Sequence, residues 1–129
     1  MCGFLGQISA NDFVDKTKFN SALELISYRG PDATNIKSLS ENAYFGHHRL
    51  AILDLDQASN QPFESSCGNF FLIYNGEIYN YIELRKYLEG QGANFRTKSD
   101  TEVLLQGLIL FGIDFIKKLE GMFSFGFID

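Results

Sequence analysis

Nothing in this sequence approaches the run of about 18 apolar residues that a membrane-spanning helix needs, and its N-terminus has neither a basic segment nor a long apolar stretch of signal type. A membrane partner is not expected, and the cytoplasm is the expected compartment. Cysteine is scarce: Cys2 and Cys67 are too few to staple a secreted scaffold, so reduced thiols are expected. Positive charge is scarce too. Eleven Lys and Arg against 16 Asp and Glu leave a net charge of -5 and a pI near 4.9, which disfavours nucleic acid and anionic membrane surfaces. Cys2, His47, His48 and Cys67 are four conceivable zinc ligands, but no Cys-x-x-Cys or His-x-x-x-His spacing supports that use, and no metal is expected. No repeat, low-complexity tract or linker divides the chain. What remains is one domain acting on a small ligand.

Present in abundance are apolar residues, 45% of the chain with 13 Phe, which is enough for an aromatic-rich core in 129 residues. The stretch around which the rest is organised is Met1-Cys2-Gly3-Phe4-Leu5-Gly6. Removal of the initiator methionine would leave a thiol and a free α-amino group on one residue. Such an amine titrates at roughly 7.7 to 8.0, so an appreciable fraction is unprotonated at neutral pH and can take the thiol proton. The plain alternative for Cys2 is a buried or strand-leading residue.

Phe4 to Ser9 reads as a strand closed by Asn11-Asp12. From Asp15 onward, Phe19, Ala22, Leu23 and Ile26 recur at helical spacing, and Arg29-Gly30-Pro31-Asp32 ends the helix. Ala43 to Leu55 alternates loosely and predicts one or two strands with a polar centre at His47-His48-Arg49. Adjacent strand residues point to opposite faces, so at most one of the two histidines can face a site. Asn60-Gln61-Pro62-Phe63 marks a loop, Cys67 an incidental loop position, and Phe70 to Tyr74 a buried strand. Asn75-Gly76 then carries the signal of a type I′ hairpin turn. Asn80 with Glu83, and Ser99 with Glu102, have the form of capping boxes opening two helices, the second closed by Gly112. Ile113 to Leu119 predicts a further short helix, and Met122 to Ile128 a strand that is apolar on both faces. Strands of that kind need a layer on each side, which predicts an α+β unit with helices over one face of a sheet and a second sheet on the other.

The polar breaks in this apolar chain, Cys2, His47 to Arg49, Asn75 to Glu77 and Ser99-Asp100, all fall at expected strand ends or helix starts, where side chains and free N–H groups converge without interrupting a core. An Asn amide beside a Gly N–H offers two donors to an oxyanion, Arg49 a fork for a carboxylate, and Asp100 with Glu77 acceptors for an ammonium. The set suits a substrate with an α-amino group, an α-carboxylate and a side-chain carbonyl.

With these residues in hand the sequence resembles the class II glutamine amidotransferases, and most closely the glutaminase domain of asparagine synthetases. The resemblance rests on Met1-Cys2-Gly3, Arg29-Gly30-Pro31-Asp32, Gly46-His47-His48-Arg49-Leu50, Asn60-Gln61-Pro62, Tyr74-Asn75-Gly76-Glu77-Ile78-Tyr79-Asn80, Ser99-Asp100-Thr101-Glu102 and Leu119-Glu120-Gly121-Met122-Phe123. It implies an αββα four-layer sandwich of N-terminal nucleophile hydrolase type, incomplete at the C-terminus, with residues 1–129 forming the N-terminal part of the glutaminase domain and the synthetase domain absent. It further implies Cys2 as the nucleophile on the glutamine amide and Asn75 with the Gly76 N–H as the oxyanion hole. Arg49 resembles the carboxylate clamp, Glu77 and Asp100 the ammonium acceptors, and Leu50 to Leu53 the backbone lining. No cofactor is expected in this chain, since ATP and magnesium belong with the synthetase domain that would accept the ammonia for asparagine synthesis. His48 departs from many relatives. Missing strands would leave Phe123 to Ile128 as an apolar edge, which predicts association, a homodimer included. The alternative reading is a non-catalytic glutamine-binding or interaction fragment of a longer amidotransferase.

Overall fold

The strand expected after Cys2 forms as β1 (Gly3–Ile8) in the computed structural model, which describes residues 2–52 and 55–129. The helix α1 (Lys16–Glu24) follows, started by Asp15, whose Oδ1 accepts the Thr17 and Lys18 N–H groups at 3.0 and 3.1 Å. A 3₁₀ turn (Ser27–Arg29) leads to β2 (Ala33–Ser40) and β3 (Ala43–Arg49). β3 lies between β1 and β2 in a three-stranded antiparallel sheet, with Gly3 opposite His48 and Thr34 opposite His48 from the other side. The strand signal over Ala43 to Leu55 thus ends at Arg49, where the Arg49 carbonyl accepts from Asp32 N–H and Ala51 N–H donates to the Asp32 side chain.

A second antiparallel sheet joins β4 (Phe63–Glu64), β5 (Phe71–Ile78) and β6 (Gly121–Ile128) in that order. Here the Asn75-Gly76 hairpin signal fails: β5 runs straight through both residues and pairs with β6 as far as Ile78 opposite Gly121. Gly76 is required there by close approach, not by a turn. A Cβ on it would lie 2.2 Å from the Met122 carbonyl oxygen and 2.6 Å from Phe123 Cα. β6 is the last strand of this sheet among the described residues, with Met122 exposed and Phe123, Phe125 and Phe127 packed on the core.

Between β5 and β6 come α2 (Tyr81–Gly90), α3 (Asp100–Phe111) and a 3₁₀ helix (Gly112–Lys118). Asn80 precedes α2 but makes no side-chain cap. Its Nδ2 donates to the Lys118 carbonyl and its Oδ1 accepts from Glu120 N–H, so the expected capping box is replaced by a brace on the entry to β6. At α3 half of the expected box forms: Ser99 Oγ accepts from Glu102 N–H at 3.3 Å, while the Glu102 carboxylate turns to the preceding loop.

Alternation along β3 sets the layers. Gly46 faces α1, where a Cβ would stand 2.6 Å from Leu23 Cδ2, so the glycine is what lets the helix lie this close. Phe45 faces the opposite way, meeting Ile73 of β5 across Gly6 and Gly126. α2 and α3 then cover the far side of the second sheet through Leu84, Leu88, Val103, Leu104 and Leu108 with Phe63, Leu72 and Phe115. Full burial of side chains of this size stabilises by about 1.5 to 3 kcal/mol each. The order helix, sheet, sheet, helices is the expected αββα sandwich. No helix among the described residues is long and apolar enough to cross a membrane.

Candidate active site

Cys2 precedes β1 by one residue and continues its alternation onto the inter-sheet side, beside the end of β3. Leu50 N–H points at its Sγ at 3.3 Å, and the thiol faces the Leu50 carbonyl oxygen at 3.6 Å. The Arg29-Gly30-Pro31-Asp32 segment, legible mainly as a helix stop, holds this corner. Arg29 Nε donates to the Cys2 carbonyl at 3.0 Å, and Asp32 Oδ2 accepts from Ala51 N–H at 2.8 Å. Gly30 is pressed so close to β3 that a Cβ would fall 2.3 Å from the His48 carbonyl oxygen.

Arg49, the last residue of β3, is buried, and its guanidinium donates to the Asp56 carbonyl at 2.8 Å and to Asn60 Oδ1 at 2.6 Å. The Asn60-Gln61 loop therefore shapes the site as well as the chain path. Gln61 is buried, and its Oε1 accepts from Tyr74 N–H at 2.6 Å.

The two histidines divide as alternation requires. His48 turns toward α1, with Nδ1 at 2.7 Å from Thr34 Oγ1 and Nε2 at 3.0 Å from the Leu23 carbonyl. His47 turns toward the second sheet, where Nε2 meets the Tyr74 carbonyl at 3.2 Å and Nδ1 has no hydrogen-bond partner. Burial pushes His47 down to about 4, so it is neutral at pH 7. Neither is a base in the cleft.

From the second sheet, Asn75, Gly76 and Glu77 line the same cleft as Cys2, Arg49 and Leu50, and the start of α3 closes it with Ser99, Asp100 and Thr101. The cleft encloses about 600 Å³, part of it open to solvent. Asn75 lines the cleft, and its Oδ1 is buried without a hydrogen-bond partner. Asp100 is buried, and its Oδ2 accepts from Tyr74 OH at 2.6 Å and from Ile78 N–H at 3.1 Å. Burial raises its carboxyl above the ordinary range; Tyr74 OH and the backbone N–H groups of Ile78 and Thr101 oppose the rise. Its place in the first turn of α3 also favours the carboxylate.

Seven of the eight residues expected at the site, Cys2, Arg49, Leu50, Asn75, Gly76, Glu77 and Asp100, thus share one cleft; Leu53 lies outside the described residues. Cys67 is exposed and does not line it, lying in a loop beside Ser65. No group of three His, Cys, Asp or Glu among the described residues is placed to hold a metal ion. Tyr74, Asn60 and Gln61 were not legible as site residues. For Asn60 and Gln61 the signal was present as a polar pair before Pro62, but Tyr74, though it heads the Tyr74 to Asn80 motif, sits inside an apolar run that gives it no role.

A family model of the glutamine amidotransferase domain matches residues 1–129. The chain is 38% identical over 129 residues to asparagine synthetase [glutamine-hydrolyzing] 1 of Bacillus subtilis (strain 168), covering 97% of this chain and 20% of that protein. It is 37% identical over 132 residues to asparagine synthetase [glutamine-hydrolyzing] 1 of Arabidopsis thaliana, covering 100% of this chain and 22% of the other. The chain therefore spans about a fifth of the length of these curated relatives. Among solved structures, the glutamine phosphoribosylpyrophosphate amidotransferase of B. subtilis superposes with a TM-score of 0.57 at 29% identity, over 69% of this chain and 21% of that one. On the whole-length family match and these identities, the chain belongs to the glutamine amidotransferase domain family.

Proposed function

We propose that the chain hydrolyses glutamine to glutamate and ammonia, with Cys2 as nucleophile, and passes the ammonia to an acceptor site of asparagine synthetase type. Once Met1 is removed, the α-amino group of Cys2 takes the thiol proton and the thiolate adds to the side-chain carbonyl of glutamine. The Asn75 side-chain amide and the Gly76 N–H stabilise the oxyanion. The carbon–nitrogen bond breaks, the amine proton goes to the leaving nitrogen, and ammonia departs from a glutamyl thioester. Water then adds to the thioester, releasing glutamate and the thiol. Arg49 binds the α-carboxylate and Glu77 with Asp100 the α-ammonium, while the Leu50 backbone lines the pocket. No step draws on a cofactor. ATP and magnesium, on this reading, serve the synthetase part that receives the ammonia.

The observation that carries the proposal is the convergence of four separate segments on one cleft, lined by the thiol residue Cys2, Arg49, Asn75-Gly76 and the buried Asp100. The test is intact mass after incubation with a glutamine analogue bearing an electrophile at the side-chain carbonyl. The expected result is a single adduct at Cys2 on a chain lacking Met1. A folded, processed chain that takes no adduct would overturn the mechanism.

A further inference from the structure

Tyr74 is buried inside β5 and is held at three points: its N–H donates to Gln61 Oε1 at 2.6 Å, its carbonyl accepts from His47 at 3.2 Å, and its hydroxyl donates to Asp100 Oδ2 at 2.6 Å. It directly precedes Asn75-Gly76. The bonds that Asp100 receives from Tyr74 and from Ile78 N–H go to the same oxygen. We propose that Tyr74 is a positioning residue for glutamine recognition: its hydroxyl pins one oxygen of Asp100 and leaves the other turned to the substrate's α-ammonium. The inference rests on the glutaminase reading of the cleft.

A buried carboxylate is a good ammonium acceptor only while it is ionised, and burial works against that here. The tyrosine hydroxyl supplies a donor that stays protonated, because burial first, and then the Asp100 charge, push its own ionisation well above the usual range. The other charged or titratable groups facing this point are Cys2, Arg49 and Glu77 on the cleft walls. Glu102, two residues on in α3, is taken up by Arg96 and Thr97, and Lys98 stands two residues before Asp100. Removing the hydroxyl should therefore move the acid limit of glutamine binding rather than only weaken the fold.

The experiment is calorimetric titration of L-glutamine into the Cys2→Ala chain between pH 5 and 8, compared with the same chain carrying Tyr74→Phe. Loss of the hydroxyl is expected to shift the acid limb of log Kd upward by about one pH unit, which is about tenfold weaker binding below that limb. Uniform incorporation of 3-fluorotyrosine, whose hydroxyl is a stronger donor, should shift the limb the other way, and it tests the point even if Tyr74→Phe does not fold. Binding whose acid limb moves with neither change overturns the inference and leaves the glutaminase reading standing. A Cys2→Ala chain that binds no glutamine at any pH sinks both.

Discussion

The two sheets hold their share of the cleft in different ways. The first sheet brings Cys2 and Arg49 to one end of its strands, one just before β1 and the other closing β3, and fixes them with pegs from the Arg29–Asp32 segment and the Asn60 loop. The second sheet places Asn75 and Gly76 in the body of β5 and fixes them from behind, through buried Tyr74, Asp100 and Glu102. Strand ends leave polar side chains accessible at little cost. Polar residues within a buried strand need hydrogen-bonded support, and here Gly76 also lets β5 lie close against β6. So on this reading the first sheet carries the reactive atoms, and the second carries rigidity.

That division is tested most sharply by Cys2→Ala. Among the described residues its thiol is hydrogen-bonded to the Leu50 backbone, so glutamine hydrolysis should fall below detection while the melting temperature stays within a few degrees, about 1 kcal/mol for a domain of this size. Residual turnover near the wild-type rate would mean that the first sheet does not supply the nucleophile. On the second sheet, Asn75→Ala should lower kcat by roughly 10²- to 10³-fold, about 2.7 to 4 kcal/mol, with little change in KM. A change confined to KM would make Asn75 a ground-state binder.

Support of the second sheet should be visible without substrate. The Glu102 carboxylate, 1% exposed, accepts from Arg96 N–H at 3.0 Å, from Thr97 N–H at 2.7 Å and from Thr97 Oγ1 at 2.8 Å. Glu102→Ala strands these donors beneath the start of α3, and a loss of about 3 kcal/mol in urea unfolding is expected. A loss under about 1 kcal/mol would mean that water replaces the carboxylate freely, and that the loop before Asp100 is not the rigid support described above.

The same difference explains what the sequence could and could not reveal. β1, α1 and α3 were readable because their periodicity and caps are local; Asp15 and Ser99 act at the helix starts they mark. β2 was not, since Ala33 to Ser40 is a mostly polar edge strand whose alternation is weak and whose pairing partner lies beyond it in the chain. Asn75-Gly76 misled as a turn because the reason for the glycine, the Met122 carbonyl, is supplied by a strand some 45 residues later. Asn80 misled in the same way, its amide being claimed by Lys118 and Glu120. The Cys2, Arg49 and Asp100 positions were legible as polar breaks at element ends. Tyr74 was hidden, because only the packing of α3 on β5 turns its hydroxyl from one more aromatic tip into a carboxylate's partner.

The contact between the sheets can itself be titrated. His47 Nε2 faces the Tyr74 carbonyl and so carries the proton, leaving Nδ1 bare, buried and unpartnered. Burial first, and then the Arg49 and His48 charges, disfavour the charged ring and lower its value from 6.5 to about 4; charging would also put an N–H at Nδ1, which has no partner. A histidine lowered in the folded state contributes stability that is fully present above the unfolded value and is lost as pH falls from 6.5 toward about 4. By pH 5 the loss should reach about 2 kcal/mol relative to pH 7.5. Asp100 works in the opposite sense, since its raised carboxyl is relieved by protonation as the pH falls, so the wild-type profile alone mixes the two. His47→Gln separates them: the difference in unfolding free energy between wild type and variant should fall by that amount between pH 7.5 and 5. A difference that stays flat would mean that water reaches Nδ1 between the sheets, and that the seam joining the reactive half to the rigid half is wetter than its burial implies.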